Sequence, residues 1–206
     1  MLFRSPAVIS LITSRQIEQY GYASVGEALS TLSGVDMLHD QVQYNLGVRG
    51  INAGMRGSSR IVKVMIEGQS VAFRPSSENF LGTELVPMQA VDRIEVVRGP
   101  SSTLYGANAY LGVVNIIMRR GERIDGMELR SGVSSVQGHA AYDLGLLYGR
   151  KMGRVDYLLA ASGQFADRSG LHARDLPGDS RYRDQELASR NDISRPASLY
   201  ARAEIE

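Results

Sequence analysis

Residues Val91 to Arg120 read VDRIEVVRGPSSTLYGANAYLGVVNIIMRR, and this stretch decides the fold. Val91 to Val97 is β-branched and alternating, which predicts a strand, and Gly99-Pro100 stops it. Ser101 to Leu104 has room for one helical turn, and Tyr105-Gly106-Ala107-Asn108 supplies a second break. Val113 to Met118 is a second, nearly all-apolar strand, ended by Arg119, Arg120 and Gly121. The result is strand, tight corner and strand, with charge inside the strands. A phosphate-binding loop would need Lys-Ser or Lys-Thr after the glycines, and no lysine follows Gly99 or Gly106.

The run Ile94-Glu95-Val96-Val97-Arg98-Gly99-Pro100, then Leu104-Tyr105-Gly106, then Gly112-Val113-Val114-Asn115-Ile116-Ile117 resembles the plug domain of the TonB-dependent outer-membrane receptors. The resemblance continues upstream through Val48-Arg49-Gly50 and Val64-Met65-Ile66-Glu67-Gly68, and so covers Ala7 to Arg120. Glu67 departs from the family's usual Asp before the turn glycine but keeps the charge. The resemblance implies an α+β plug, a small mixed sheet with short helices, followed by an incomplete antiparallel transmembrane β-barrel. It also implies the outer membrane of a Gram-negative bacterium, uptake of a scarce nutrient such as a ferric siderophore, and energy from the TonB complex.

Composition fits this picture. With 206 residues and 43% hydrophobic content the chain is long enough for one or two cores. No run approaches the roughly 20 apolar residues of a spanning helix, so any membrane crossing is by strands. A formal charge of +1 gives no ground for a nucleic-acid partner, and the absence of cysteine excludes disulfides and thiolate metal sites. MLFRSPAVIS lacks the charged start, the apolar core of about 7 to 15 residues and the cleavage site of a signal peptide. Few residues precede Ala7, so neither an export signal nor a TonB-pairing segment is expected within it.

The first unit reads as α+β over residues 1–120. Val8 to Ile12 is a short strand, and Thr13 with Gln16 makes a capping box for a helix, Arg15 to Tyr20, closed by Gly21. Ser24 with Glu27 makes a second box, opening a helix whose Val25, Ala28, Leu29 and Leu32 form one apolar stripe, ended by Gly34. That stripe is core packing. Strands follow at Gly34 to Leu38, Leu46 to Arg49, Arg60 to Ile66, Val91 to Val97 and Val113 to Met118.

Over residues 121–206 the character changes. Met127 to Val133, Ala140 to Tyr148, Val155 to Phe165 and Ala197 to Ile205 have about the 9 to 11 residues that a tilted strand needs to cross a bilayer. Ala197, Leu199, Ala201, Ala203 and Ile205 lie on one face of the last, Ser198, Tyr200, Arg202 and Glu204 on the other. A soluble half-buried sheet gives the same alternation. Loop lengths favour the membrane: Gly149 to Arg154 is a tight turn, whereas Ala166 to Pro196 is about thirty polar residues, and external loops are the long ones. A disordered linker is the competing reading of that loop. About four strands cannot close around a plug, because barrel diameter grows with strand number and even a barrel filled by its own side chains takes about 8; the resemblance implies about 22, so the chain is expected to be the N-terminal piece of a larger receptor.

No constellation supports catalysis. His39, His139 and His172 stand in no metal-ligand spacing, and no serine sits in a Gly-x-Ser-x-Gly elbow. No enzyme activity and no cofactor are expected. By comparison with the family, the outward plug loops are His39 to Asn45, Asn52 to Arg60 and Ser70 to Phe80. Their Tyr44, Arg56, Arg60, Phe73, Arg74 and Glu78 offer planar donors and aromatic faces for an anionic chelate, against the plainer reading of solvated loop charge. Arg49, Arg93, Glu95 and Arg98 are candidates for ion pairs between plug and barrel wall, and pairing within the plug is the equal alternative. A soluble periplasmic plug-like binding module and a non-functional receptor remnant remain as rival readings.

Overall fold

The computed structural model describes residues 8–39, 44–52, 59–71, 80–136, 139–167 and 193–205. The N-terminal unit runs β1 (Val8–Thr13), α1 (Ser14–Tyr20), α2 (Val25–Ser30), β2 (Val35–His39), β3 (Tyr44–Val48) and β4 (Ile51–Asn52). It continues through β5 (Val62–Ile66), β6 (Gln69–Ser70), β7 (Val91–Arg98), α3 (Ser102–Tyr105) and β8 (Gly112–Met118). β7 and β8 are antiparallel neighbours, with Val96 opposite Val114 and Ile94 opposite Ile116. They sit at the centre of a mixed sheet ordered β1-β7-β8-β5-β6, in which only β5 and β8 are parallel. A smaller antiparallel sheet, β2-β3-β4, stands beside it.

The corner between β7 and β8 is built as the glycines require. The hairpin extends by bonds from Gly99 N–H to the Leu111 carbonyl (2.9 Å) and from Ser101 N–H to the Ala109 carbonyl (3.0 Å). Gly106 then closes α3 at φ 76 and ψ −155, a backbone region that essentially only glycine occupies and that costs a side-chain-bearing residue about 1 to 3 kcal/mol.

Local capping sets the helices. Thr13 Oγ1 accepts from Gln16 N–H while the Gln16 side chain accepts from Thr13 N–H, a complete box, and Gly21 ends α1 in the left-handed region at φ 69. At α2 the expected box is half made. Ser24 Oγ accepts from Glu27 N–H, but the Glu27 carboxylate reaches back one residue further, to Ala23 N–H at 2.7 Å. That helix stops at Ser30 rather than at Gly34, with Thr31 as its cap. Val25, Ala28 and Leu29 are buried as predicted, and Leu32 packs on the core from the turn beyond the helix.

The C-terminal sheet, called the wall below, comprises β9 (Gly126–Val136), β10 (His139–Met152), β11 (Val155–Asp167), β12 (Ile193–Ser194) and β13 (Ala197–Ile205). All pairings are antiparallel, β9 with β10, β10 with β11, and β11 with both β12 and β13. The strands outrun their predicted bounds: Gly149 to Met152 continue β10, and the tight turn is Gly153-Arg154 alone, with Gly153 at φ 63. Ladder pairing with β11 as far as Val155 extends them.

One apolar cluster joins the two parts. Ile12, Ile17, Val25, Leu29, Val64, Ile94, Val96, Val114 and Ile116 share it with Leu147, Leu158 and Ala160 of the wall. Each fully buried aliphatic side chain contributes about 1.5 to 3 kcal/mol, so the wall is seated on this core and does not merely lie against it.

Candidate functional site

The wall has two faces of different chemistry. Away from the N-terminal unit it presents Leu129, Val133, Leu144, Leu199 and Ile205, all more than half exposed. Tyr142 pairs with Phe165 toward one end of this band, and Tyr157 pairs with Arg150 toward the other. Eight residues of β10 separate those levels, about 27 Å along the strand and about 20 Å along the axis of a barrel tilted by 40°. An apolar band of about 25 Å flanked by aromatic residues is the outer surface of a membrane barrel strand.

The opposite face meets the N-terminal unit through polar and apolar contacts. Ion pairs flank its middle, where Glu128 lies opposite Leu147 and Arg202 opposite Leu158. Arg119 holds Glu128 of β9 through two bonds of 3.0 and 3.1 Å, and Arg202 of β13 reaches Glu67 at 3.3 Å and the Arg119 carbonyl at 3.4 Å. Nearer the Gly153 end, Lys151 pairs with Glu122 at 3.5 Å. Asp156 of β11, only 2% exposed, accepts from Gly121 N–H (3.2 Å) and Glu122 N–H (3.0 Å). It thereby clasps the 3-10 turn Gly121–Arg123 that leads into the wall. Gly121 has to be glycine, because a Cβ would run into the Tyr157 carbonyl oxygen.

Between the flanking ion pairs lies the dry layer of Leu147, Leu158 and Ala160, with Ile124 packed against it. Charge is therefore not all that holds the plug, because the wall strands place small and aliphatic residues opposite the core. Farther from the Gly153 end, Gln89 Nε2 donates to the Ala161 carbonyl at 2.9 Å and toward the Leu146 carbonyl at 3.4 Å. Gly145 makes room for it: a Cβ there would lie 2.6 Å from Gln89 Nε2.

The residues singled out from sequence are placed as follows. Tyr44 opens β3 half-buried, its ring against Gly26 of α2 and its hydroxyl 3.4 Å from Ser24 Oγ. Arg60 is exposed in the turn before β5. Arg56, Phe73, Arg74 and Glu78 lie outside the described residues. Arg49 occupies the β3–β4 turn at φ 55, exposed, with its N–H on the Gly34 carbonyl.

Arg93 pairs with Glu95 (2.8 Å) and Asp92 (3.0 Å) on its own strand, and Glu95 accepts from Asn115 of β8 at 3.2 Å. Burial alone would lower the Arg93 pKa, but Glu95 and Asp92 outweigh it and raise it, so this guanidinium stays charged. Arg98 donates to Ser10 Oγ at 2.8 Å and to the Ser33 carbonyl, and ties β7 to β1 and the α2–β2 turn. Asp92 and Arg93 nevertheless border a charged hollow of ≈ 440 Å³ together with Glu67, Arg202 and Glu204.

Gln89, Arg119, Glu128, Asp156 and Arg202 escaped the sequence as contact residues. Strand parity puts Glu128 and Arg202 on the polar side, but parity names a face and not a partner.

Comparison with known proteins agrees with this architecture. The family profile of the TonB-dependent Receptor Plug Domain matches residues 2–113. The iron-regulated outer membrane virulence protein of Vibrio cholerae is 34% identical over 124 residues, 58% of this chain and 18% of that protein. The vitamin B12 transporter BtuB of Vibrio cholerae is 32% identical over 175 residues, 84% of this chain and 27% of its own length. The chain thus spans about a quarter or less of the curated relatives it matches. Among solved structures, the siderophore receptor PirA from Pseudomonas aeruginosa superposes with a TM-score of 0.61 at 21% identity, covering 98% of this chain and 33% of that one. The ferric enterobactin receptor PfeA matches with a TM-score of 0.57 at 18% identity, over 85% of this chain and 28% of its own. With the profile covering more than half of its length, and with a mixed sheet cornered by glycine and docked on antiparallel strands, this chain belongs to the TonB-dependent receptor plug domain family.

Proposed function

We propose that residues 1–120 act as the gating plug, and residues 121–206 as the first wall strands, of an outer-membrane receptor that takes up a scarce nutrient with energy from the TonB complex. The observation that carries this reading is the two-faced wall. Its apolar side suits lipid, and its inner side holds the plug through a clasped turn, ion pairs and a small dry contact. A soluble module would leave Leu129, Val133, Leu199 and Ile205 exposed to water on one continuous face. In this reading the Gly153 turn lies on the periplasmic side and the long 168–192 connection outside the cell.

The cargo is a ferric siderophore or a similar anionic chelate, held by outward loops carrying Tyr44, Arg56, Arg60, Phe73, Arg74 and Glu78. Guanidinium groups suit such a ligand because they make charge-assisted bonds with fixed geometry. Arg49 is the plug cation best placed to meet further wall, having no side-chain partner among the described residues. Arg93, Glu95 and Arg98 stiffen the strand beneath, and of the three Arg93 borders the charged hollow. The reading is of a transporter and not an enzyme.

The test uses the membrane-inserted receptor carrying this sequence and a panel of ferric enterobactin, ferric yersiniabactin and vitamin B12. Changing Arg56, Arg60 and Arg74 together to Ala should weaken binding of the accepted cargo by about tenfold or more, since each lost charge-assisted bond is worth about 1.5 to 3 kcal/mol before solvent screening. Changing Arg93 and Glu95 should spare binding and alter uptake. Failure to bind or take up any of the panel would remove the nutrient-import reading.

A further inference from the structure

The outer face of the wall ends in charge near the Gly153 turn. Between the row of Tyr142 and Phe165 and the row of Arg150, Tyr157 and Ala203, no outward position of β9, β10, β11 or β13 is charged. Arg150 closes that band with its side chain 58% exposed, and its ion-pair partner among the described residues, Asp125, stands 4.0 Å away and is more exposed still. Arg154 follows in the turn, exposed and without an ion pair among the described residues. A pair as open as Arg150 with Asp125 is screened by water, so the guanidinium remains available to another anion.

Beside this row lies an apolar groove of ≈ 530 Å³, bordered by Tyr148, Met152, Tyr157, Leu159, Ala201 and Ala203. Its floor is the β11–β13 ladder where Leu158 lies opposite Arg202. Both of those side chains turn inward, Leu158 to the core shared with the plug and Arg202 to Glu67. The groove exists because Ala201 and Ala203 stand on one face between the larger, strongly exposed Leu199 and Ile205. Since a closed ladder forms the floor, a further strand added at the free edge of β13 would border the groove and not fill it.

An apolar groove that ends at two guanidinium groups, with tyrosines at its rim, matches a molecule with an apolar tail and an anionic head. From the Tyr148 row to the Met152 row it runs about 14 Å along the strands, which suits an acyl chain. Arg150 stands at the edge of the apolar band, where a long side chain delivers its charge to headgroup level. Its planar fork binds two phosphate oxygens at once. A second copy of the chain fits less well, because a two-fold axis at the groove would bring Arg150 and Arg154 toward their own counterparts.

We propose that the groove over β11 and β13 binds one anionic phospholipid of the periplasmic leaflet, with an acyl chain on Ala201 and Ala203 and the phosphate at Arg150 and Arg154. The proposal rests on the membrane reading above and adds a lipid partner to it. Phosphatidylglycerol, whose phosphate keeps its charge, is preferred over phosphatidylcholine, whose own cation neutralises it.

The test is native mass spectrometry of the purified receptor carrying this sequence, offered equal amounts of the two lipids with identical acyl chains. The parent should retain phosphatidylglycerol with about tenfold preference. Arg150→Gln together with Arg154→Gln should reduce that preference to about twofold or less. Ala203→Phe, which fills the groove from an outward position, should lower retention of both lipids. Arg195→Gln, at the other end of the face where Arg195 lies over the Phe165 ring, should change nothing.

Equal retention of the two lipids by the parent overturns the site, as does an undiminished preference in the double arginine variant. A receptor dimer that Ala203→Phe dissolves would assign the groove to a second copy and overturn it too. If Ala203→Phe does not fold, the arginine pair decides. Insertion into phosphatidylcholine vesicles, read as protease protection of the wall, tests the membrane reading on its own. A receptor that inserts without preferring phosphatidylglycerol defeats the lipid site alone, and one that does not insert defeats both.

Discussion

The plug sheet and the wall sheet bury their residues by opposite rules. In β7 the buried positions Ile94 and Val96 face the core, while Arg93 and Glu95 on the other face pair with each other and with Asp92 and Asn115. In β10 the burial alternates just as strictly, but the exposed set, Tyr142, Leu144, Leu146 and Tyr148, is itself apolar. Polarity tracks exposure in the plug and departs from it in the wall. A sheet that is apolar on its exposed face and dry in the middle of its inner face is built for two apolar environments at once.

The sharpest way to break the comparison is to place a charge on each side of β10. Leu147→Asp puts a carboxylate into the dry layer shared with the plug, where an unpaired buried charge costs more than about 4 kcal/mol. Leu146→Arg, one residue away on the outer face, should cost about 2 to 4 kcal/mol through lipid exposure alone and leave the plug docked. Thermal unfolding and protease sensitivity of the purified receptor would compare them. Equal loss of plug protection in both variants would mean that β10 does not separate two environments.

Next in size is the clasp. Asp156→Ala leaves the buried Gly121 N–H without its acceptor, at about 1 to 3 kcal/mol, and frees the Glu122 N–H nearer the surface at less. Asp156→Asn keeps one acceptor oxygen and should lose about half as much. Hydrogen exchange at Gly121 and Glu122 would report the release directly, and unaltered protection in Asp156→Ala would show that the turn holds itself.

A smaller effect belongs to the plug corner. Gly106→Ala should cost about 1 to 3 kcal/mol, because φ 76 with ψ −155 is a region that essentially only glycine occupies. Gly106→Val should cost more, since a β-branched side chain tolerates that region least. Identical melting temperatures for glycine, alanine and valine would take the strain argument away. The smallest change is expected at Arg119 and Glu128. Glu128 is 47% exposed, so solvent screening holds the coupling in a double-mutant cycle to about 1 kcal/mol despite the bidentate geometry. A coupling several times larger would place this pair in a drier seam than the geometry indicates.

Much of the plug was readable from local rules. The capping box at Thr13 and Gln16, the glycine stop at Gly21 and the β7–β8 hairpin all follow from side chains and backbone within a few residues of one another. The half-made box at Ser24 was missed because Glu27 had two backbone N–H groups within reach, and only the approach of the chain before α2 selects Ala23. In the wall, Leu146, Leu147 and Tyr148 read as a continuous apolar run. Alternation cannot show two dry faces, so which residue met the plug stayed hidden. Arg93 and Glu95 share a strand face and pair on it, as alternation along β7 dictates, while Arg119 and Asp156 carried no local mark of their role.

The sequence by itself determined the elements, their corners and the change of character near Gly121, because periodicity, capping and left-handed turns are fixed by sterics over a few residues. Only the tertiary structure decided which charges meet. Arg202 lies 135 residues from Glu67, and Asp156 selects the Gly121 turn. Such pairings depend on how two sheets are held against each other, and that is set by the summed packing of Leu147, Leu158, Ile94 and their neighbours, with glycines left where backbones must nearly touch.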